Sequence, residues 1–232
     1  MRKIILLIVV CACFCAGASC SVSCDGSSIP WPSVGTELDR ATCTLRIAEN
    51  AAGGTATATA QITSSTGWPV ELGEGQSVQV NNQPMAATGN GGEYAVTIPV
   101  TGTYTVTVTE PTRGVQTTSL PAPPDFQVTS PADGGPASLS GFTVSYSNPD
   151  AALLVSIVLT QTLFEQEHHL AVGPLADTGS RAFTAQDLVE FRQGADLSIA
   201  VTKISRRDSI NGFAAGQLSV ERTRSVKAKP QP

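Results

Sequence analysis

The sequence predicts an all-β fold made of two tandem β-sandwich domains behind a signal peptide, with one short helix in the second domain. Apolar and polar residues alternate with a period of two along residues 42–120, and the same alternation resumes at residue 125. Turn signals rich in Gly, Pro, Asn and Asp separate these runs. Short alternating strands at this spacing are typical of sandwiches and barrels.

The N-terminus predicts export. Met1-Arg2-Lys3 is positively charged, and the apolar run that follows, Ile4 to Ala16, is thirteen residues long. A membrane-spanning helix needs ~20 apolar residues. The shorter run followed by small residues is typical of a signal peptide, here residues 1–19.

Two cleavage chemistries compete at the end of this leader. Ala16-Gly17-Ala18 fits the small-x-small pattern of ordinary signal peptidase, which would leave Ser19 as the first residue. Gly17-Ala18-Ser19-Cys20 resembles the bacterial lipobox, in which Cys20 becomes the lipidated first residue, although Gly17 stands where that motif prefers Leu. The resemblance implies an outer-membrane lipoprotein that faces the periplasm or the cell surface. Cleavage before Ser19 implies a secreted protein.

The parity of the cysteines favours lipidation. The chain has six cysteines, of which Cys20, Cys24 and Cys43 remain after the leader is removed. A lipid on Cys20 leaves Cys24 and Cys43 as an even pair. A disulfide between them would contribute ~3 kcal/mol on the chain-entropy model. The alternative is that Cys43 is simply buried, because it shares a strand face with Leu45 and Ile47.

The charge balance disfavours nucleic acid as a partner. Lys and Arg total 14 against 19 Asp and Glu, which gives a formal net charge of −5, and nucleic-acid affinity comes mainly from neutralising phosphates. The segment 203–232 is locally basic. It would suit anionic lipid or polysaccharide, but a solvated strand face and tail is the favoured interpretation.

Composition divides the exported chain into four parts. We predict a lipid-proximal tether at 20–37, a first β-sandwich at 38–120, a proline-rich linker at 121–124 and a second β-sandwich at 125–232. The linker is predicted from three prolines in four positions, which resist both helix and central strand.

Two local patterns in the second half carry specific expectations. Thr184-Ala-Gln-Asp187 is an acidic variant of a capping box and predicts a helix of two turns. In the last strand, Arg222 and Arg224 share the nominally inward face with Leu218 and Val220. Either a bulge shifts the register or the strand continues past the core.

Residues 93–109, with the strand Gly-Thr-Tyr-Thr-Val-Thr-Val, resemble the last hairpin of bacterial immunoglobulin-like and PKD-like domains. The second half resembles fibronectin-type sandwiches more loosely. The resemblance implies immunoglobulin-like sandwiches in which the Tyr104 hydroxyl bonds back to the chain. Such folds occur in adhesins, sugar-binding modules and spacer arms, so the fold does not select a function.

Asp177-Thr-Gly-Ser180 matches the core motif of aspartic proteases, in which two aspartates share a proton. This chain contains one copy of the motif, and a homodimer would be needed to supply the second. An Asp-Gly turn between strands is the favoured interpretation. A non-enzymatic scaffold predicts Asp177 in an exposed turn with no concave pocket of converging polar groups beside it.

The two histidines lie in Glu165-Gln-Glu-His-His169. On a strand, Glu165, Glu167 and His169 project from one face, and these residue types can bind zinc or a similar ion. The spacing matches no established metal motif. A polar end of an edge strand, where charge discourages pairing, is the favoured interpretation.

We therefore expect a non-enzymatic, lipid-anchored envelope protein that binds a protein or glycan, or acts as a scaffold, and that needs no cofactor. The alternative is a hydrolase that uses Asp177 or the Glu165/Glu167/His169 site. A catalytic site would require a concave pocket with converging polar groups.

Overall fold

A computed structural model describes residues 33–34, 36–50 and 53–232 of the chain. The predicted signal peptide, Cys20, Cys24 and the predicted tether up to residue 32 lie outside the described residues. The described chain is built from strands joined by turns, which confirms the predicted all-β class.

Eighteen strands follow one another along the described chain, with a 3₁₀ turn at Leu38–Arg40 between the first two. The first ten are β1 (Ser33–Val34), β2 (Ala41–Glu49), β3 (Thr55–Ser64), β4 (Val70–Glu71), β5 (Ser77–Val80), β6 (Gln83–Pro84), β7 (Ala86–Ala87), β8 (Glu93–Pro99), β9 (Thr103–Glu110) and β10 (Gly114–Pro121). The remaining eight are β11 (Val128–Ser130), β12 (Pro136–Ser138), β13 (Gly141–Tyr146), β14 (Leu154–Leu163), β15 (Gln166–Ala176), β16 (Ser180–Thr184), β17 (Leu197–Arg207) and β18 (Ala215–Gln231).

One large mixed sheet unites the two halves of the chain. Its strand order is β15-β14-β17-β18-β2-β3-β8-β7, and β12 also pairs with β18. The contacts of β18 with β2 and with β12 are parallel, whereas the other pairs in this sheet are antiparallel. Two smaller sheets have the orders β10-β9-β5-β6 and β11-β13-β16, and β1 pairs with β4.

Two clusters of buried residues lie on the inner face of the large sheet. The first is shared between β2 and β3 of the large sheet and β5 and β9 of the four-stranded sheet, and includes Leu45, Ile62 and Val106. The second lies between β14 and β17 of the large sheet and β13 of the three-stranded sheet, and includes Ile157, Ile199 and Val144. Apolar residues at every second position place one face of each strand in a cluster.

The last strand contributes to both clusters. Leu218 and Val220 pack in the first cluster, whereas Ala228 and the partly buried Val226 belong to the second. Pairing of β18 with β17 runs from Leu218 to Ala228 without a register shift. The strand therefore continues past the first core without a bulge. The domain boundaries proposed at 121–124 stay a prediction.

The predicted two-turn helix after Thr184 is wrong. The side chains do bond reciprocally as expected: Thr184 N and Oγ1 each donate to Asp187 Oδ2 at 2.8 Å, and Asp187 N donates to Thr184 Oγ1 at 3.4 Å. The chain nevertheless continues as turns through residue 190. Short helices have a costly nucleus, and here isolated turns suffice to bury Leu188 and Phe191 in the second cluster.

Candidate functional site

The turn at Asp177 joins β15 to β16 and forms as the Asp-Gly pattern predicts. Gly179 adopts a φ of +82°, and its N–H donates to Asp177 Oδ1 at 3.1 Å. Asp150 N donates to Asp177 Oδ2 at 3.2 Å. However, the expectation of an exposed aspartate is wrong, since the Asp177 side chain is completely buried.

Burial of Asp177 is explained by Lys203, whose Nζ lies 2.8 Å from Asp177 Oδ2. Neither side chain is exposed. The ammonium group also donates to the carbonyl oxygen of Ser147 at 3.0 Å and to that of Asn148. All three N–H bonds of the ammonium therefore have an acceptor, which a buried charge requires.

Two aromatic rings complete the shell around this lysine. Lys203 Nζ lies 5.0 Å from the ring centroid of Phe126 and 5.2 Å from that of Tyr146, within the range of cation–π attraction. Burial, and next the Asp177 carboxylate, raise the pKa of Tyr146 to about 12. We call Asp177, Lys203, Phe126 and Tyr146 the buried lysine cluster.

Two further ion pairs line the inner face of β18 between the hydrophobic clusters. Arg222 holds Glu49 through two hydrogen bonds, of 2.5 Å from Nε and 3.0 Å from Nη2. These bonds raise the pKa of Arg222. Arg224 Nη2 lies 2.6 Å from Asp125 Oδ1, directly after the proline-rich segment. Lys203, Arg222 and Arg224 are thus engaged in ion pairs. The expected solvated face and tail holds for the other four basic residues of this segment, which are exposed: Arg206, Arg207, Lys227 and Lys229.

Tyr104 connects the first of these pairs to β9. Its hydroxyl lies 3.2 Å from Glu49 Oε1, and Thr101 N donates to the hydroxyl at 3.4 Å. The ring is fully buried in the first cluster. Burial raises the pKa of Tyr104 to about 12. This side chain therefore joins the two facing sheets of the first half through its hydroxyl.

The residues proposed for a metal site do not converge. Glu165 lies in the hairpin turn between β14 and β15, with a φ of +66°. Glu167 and His169 are exposed on β15, the edge strand of the large sheet, opposite Thr162 and Thr160. Among the described residues, no group of three His, Cys, Asp or Glu side chains could hold a metal ion. Their placement agrees with a charged edge that discourages pairing.

Cys43 lies at the centre of the first hydrophobic cluster. Its side chain is fully buried, and burial raises its pKa to about 12. It therefore behaves as a small apolar side chain and not as a reactive thiol. The proposed bridge to Cys24 stays a prediction, since Cys24 lies outside the described residues.

A cavity of about 270 Å³ opens beside the buried lysine cluster, between β15 and β16. Val155, Ile157, Val172 and Leu175 supply most of its apolar lining, and Arg181 stands beside them. β15 bends here because its pairing with β14 shifts between Val155 and Ile157. Sequence alternation gives no signal for such a cavity, since alternation does not show how the edges of two sheets lie relative to each other.

Gly173 permits this bend. Its φ is +116°, and a Cβ atom at this position would lie 2.5 Å from the carbonyl oxygen of Val155. Only glycine fits this combination of positive φ and close backbone approach.

The enclosed position of Asp177 does not suit it to act as a general acid or base on a substrate. Its two oxygens accept hydrogen bonds from Gly179, Asp150 and Lys203. A general acid or base must reach the proton that it transfers, and this side chain is enclosed. The arrangement is instead that of a saturated structural ion pair.

Comparison with known proteins adds no relative. No protein-family model matches the chain, and no curated protein matches it.

In the part of the chain that the structure covers, no helix is long and apolar enough to span a membrane. Functional inference therefore rests on the residues themselves.

We expect the protein to lose stability as the pH rises from about 9 towards 12. The pKa values of Cys43, Tyr104 and Tyr146 are each raised to about 12, from 9.0 for the thiol and 10.0 for the phenols. In this window the folded chain holds protons that the unfolded chain has released, so stability falls with pH. Urea unfolding at about pH 8 and about pH 11 measures the difference. Tyr146→Phe should reduce the loss above pH 10, and an unchanged loss would contradict this assignment.

Proposed function

We propose that this chain is a lipid-anchored, non-enzymatic module of a bacterial cell envelope that binds a protein or glycan partner or acts as a scaffold. The observation that carries the proposal is the state of its buried charges. Asp177 and Lys203 are enclosed, and Glu49 pairs with the largely buried Arg222. These groups hold the fold together, which supports a structural or binding role over hydrolysis.

We further propose that each hydrophobic cluster is the core of an immunoglobulin-like sandwich. In support, each cluster lies between a small sheet and the large sheet. The Tyr104 hydroxyl contacts the backbone of Thr101, as the resemblance to such domains implies. The hydrolase alternative has less support because its two sets of residues are respectively enclosed and dispersed.

The anchor is tested by the intact mass of the protein purified from membranes of an expressing diderm bacterium. We expect a chain that begins at Cys20 and carries acyl chains, because the parity of the cysteines favours lipidation there. Several acyl chains hold a protein firmly at a bilayer. Cys20→Ser should abolish the added mass and release the protein from the membrane. A wild-type chain that begins at Ser19 without lipid would overturn the anchor.

A further inference from the structure

The second sandwich has one open flank. On the large sheet, β15, β14, β17 and β18 run side by side, whereas the opposing sheet has three strands, β11, β13 and β16. Both β15 and β16 are edge strands of their sheets. The three-stranded sheet is therefore one strand narrower than the surface it covers.

The turn segment 185–195 covers only one end of the part of the large sheet that the three-stranded sheet leaves uncovered. It is held over β14 by Gln161, which bonds the backbone of Arg192 and of Ala195 at 2.7 to 2.9 Å. At the other end, Val172, Leu175 and Ala176 of β15 line the cavity next to β16. Leu175 is 44% exposed there.

The size of the cavity favours a side chain as its occupant over a whole small molecule. Pockets that enclose small molecules span roughly 300–1,000 Å³, whereas this cavity has about 270 Å³ and is open on one side. The strand beside it supplies backbone groups. Backbone groups of Ser180 and Ala182 point away from β13, because the alternate residues Gly179 and Arg181 pair with Tyr146 and Val144. The carbonyl oxygen of Ser180 already accepts a hydrogen bond from Thr178 Oγ1 at 3.0 Å, and the N–H of Thr184 is bonded to Asp187.

Arg181 supplies the charge that identifies the occupant. It pairs across the sheet with Val144 of the second cluster and shares the face of Phe183, so it points inward at the edge. Within the described chain it forms no hydrogen bond or ion pair with another side chain. A guanidinium beside an apolar cavity is complementary to a carboxylate beside an apolar side chain.

We propose that an extended peptide segment of a protein partner binds along the β16 edge, places one apolar side chain in the cavity beside Val172, and pairs a carboxylate with Arg181. Extended peptides commonly bind by adding a strand to a sheet edge, with pockets for alternate side chains. The inference rests on the proposed binding function, for which it names the site and the class of partner. The alternative role for Arg181 is to prevent pairing of the β16 edge.

The test is selection of random peptides displayed on phage against the full-length protein. Ala176→Trp, which fills the cavity from an exposed position, serves as the counter-target. Peptides that the wild type enriches are synthesised, and their affinities are measured for the wild type, for Arg181→Gln and for Arg207→Gln. Arg207 is an exposed arginine on another strand and serves as the matched control. Thermal unfolding of each variant confirms that it is folded.

We expect enriched peptides with an acidic residue near a large apolar residue, and binding about tenfold or more weaker to Arg181→Gln, since a charged hydrogen bond is lost. Arg207→Gln should bind like the wild type. Equal binding to Arg181→Gln, or no peptide that prefers the wild type to Ala176→Trp, would overturn the proposal. The proposal would also be overturned if the Arg181→Gln variant formed dimers and no acidic peptides were selected, since Arg181 would then serve only to prevent pairing of the β16 edge. The two proposals can fail separately. If the peptide selection fails but the mass measurement shows an acylated Cys20, the β16 binding site is wrong and the lipid-anchored scaffold stands.

Discussion

Lys203→Met should lower the free energy of unfolding by about 3–5 kcal/mol, because it leaves the Asp177 carboxylate buried without its counter-charge. The methionine fills a similar volume, so the loss reports the charge rather than a cavity. The carbonyl oxygens of Ser147 and Asn148 also lose their donor. Urea denaturation followed by circular dichroism measures the change.

Two variants separate this explanation from simple loss of a lysine. Lys229→Met removes an exposed lysine from β18 and should change stability by less than about 0.5 kcal/mol. The double variant Lys203→Met with Asp177→Asn removes both charges, and the side-chain oxygen of the asparagine can still accept the hydrogen bond from Gly179 N. It should recover a large part of the loss. If the double variant is as unstable as Lys203→Met alone, the unpaired charge is not the cause.

Glu49→Ala should cost about 2–3 kcal/mol, the second largest effect that we expect. It removes the partner of Arg222, whose side chain is only 12% exposed, and an acceptor for the Tyr104 hydroxyl. The cost is lower than for Lys203 because the arginine retains some contact with solvent. Hydrogen exchange should be faster in β2 and in the adjoining part of β18, which these side chains hold together.

The neighbouring residue Glu221 provides a matched control. It also makes a two-bond ion pair, with Arg46 at 2.7 and 2.5 Å, but the Arg46 side chain is 57% exposed. Glu221→Ala should therefore cost no more than about 1 kcal/mol. If both glutamate variants have the same effect, burial is not what makes the Arg222 pair important.

Local alternation predicts which residues face the core. Cys43, Leu218 and Val220 were assigned to inward faces from their spacing, and all three are buried. The same rule placed Arg222 and Arg224 on the nominally inward face and left open a bulge or a strand that continues past the core; the unshifted pairing of β18 with β17 shows the second. The period of a strand determines which face a residue occupies, whatever the strand pairs with.

The sequence does not show which strands pair with one another or which residues meet across the core. Lys203 follows Val201 on an inward face of β17, which is a detectable signal of a buried charge, but its partner Asp177 lies in the turn between β15 and β16. The parallel pairing of β2 with β18 joins residues from opposite ends of the described chain. Cavities and ion pairs depend on such pairings, so Arg181 and the open flank were not predicted.

The pairing of β2 with β18 also determines the order in which the protein can fold. The contact between Arg222 and Glu49 spans 173 residues, and contacts of such long range form slowly because a large loop must close first. As the chain emerges from synthesis, its N-terminal half acquires β2 and β3 early but lacks β18, the strand that pairs with the other edge of β2. The edge of β2 stays open to wrong partners until residues 215–222 arrive. The first hydrophobic cluster is therefore completed by a strand that emerges long after β2 and β3, since Arg222 and Glu49 are 173 residues apart.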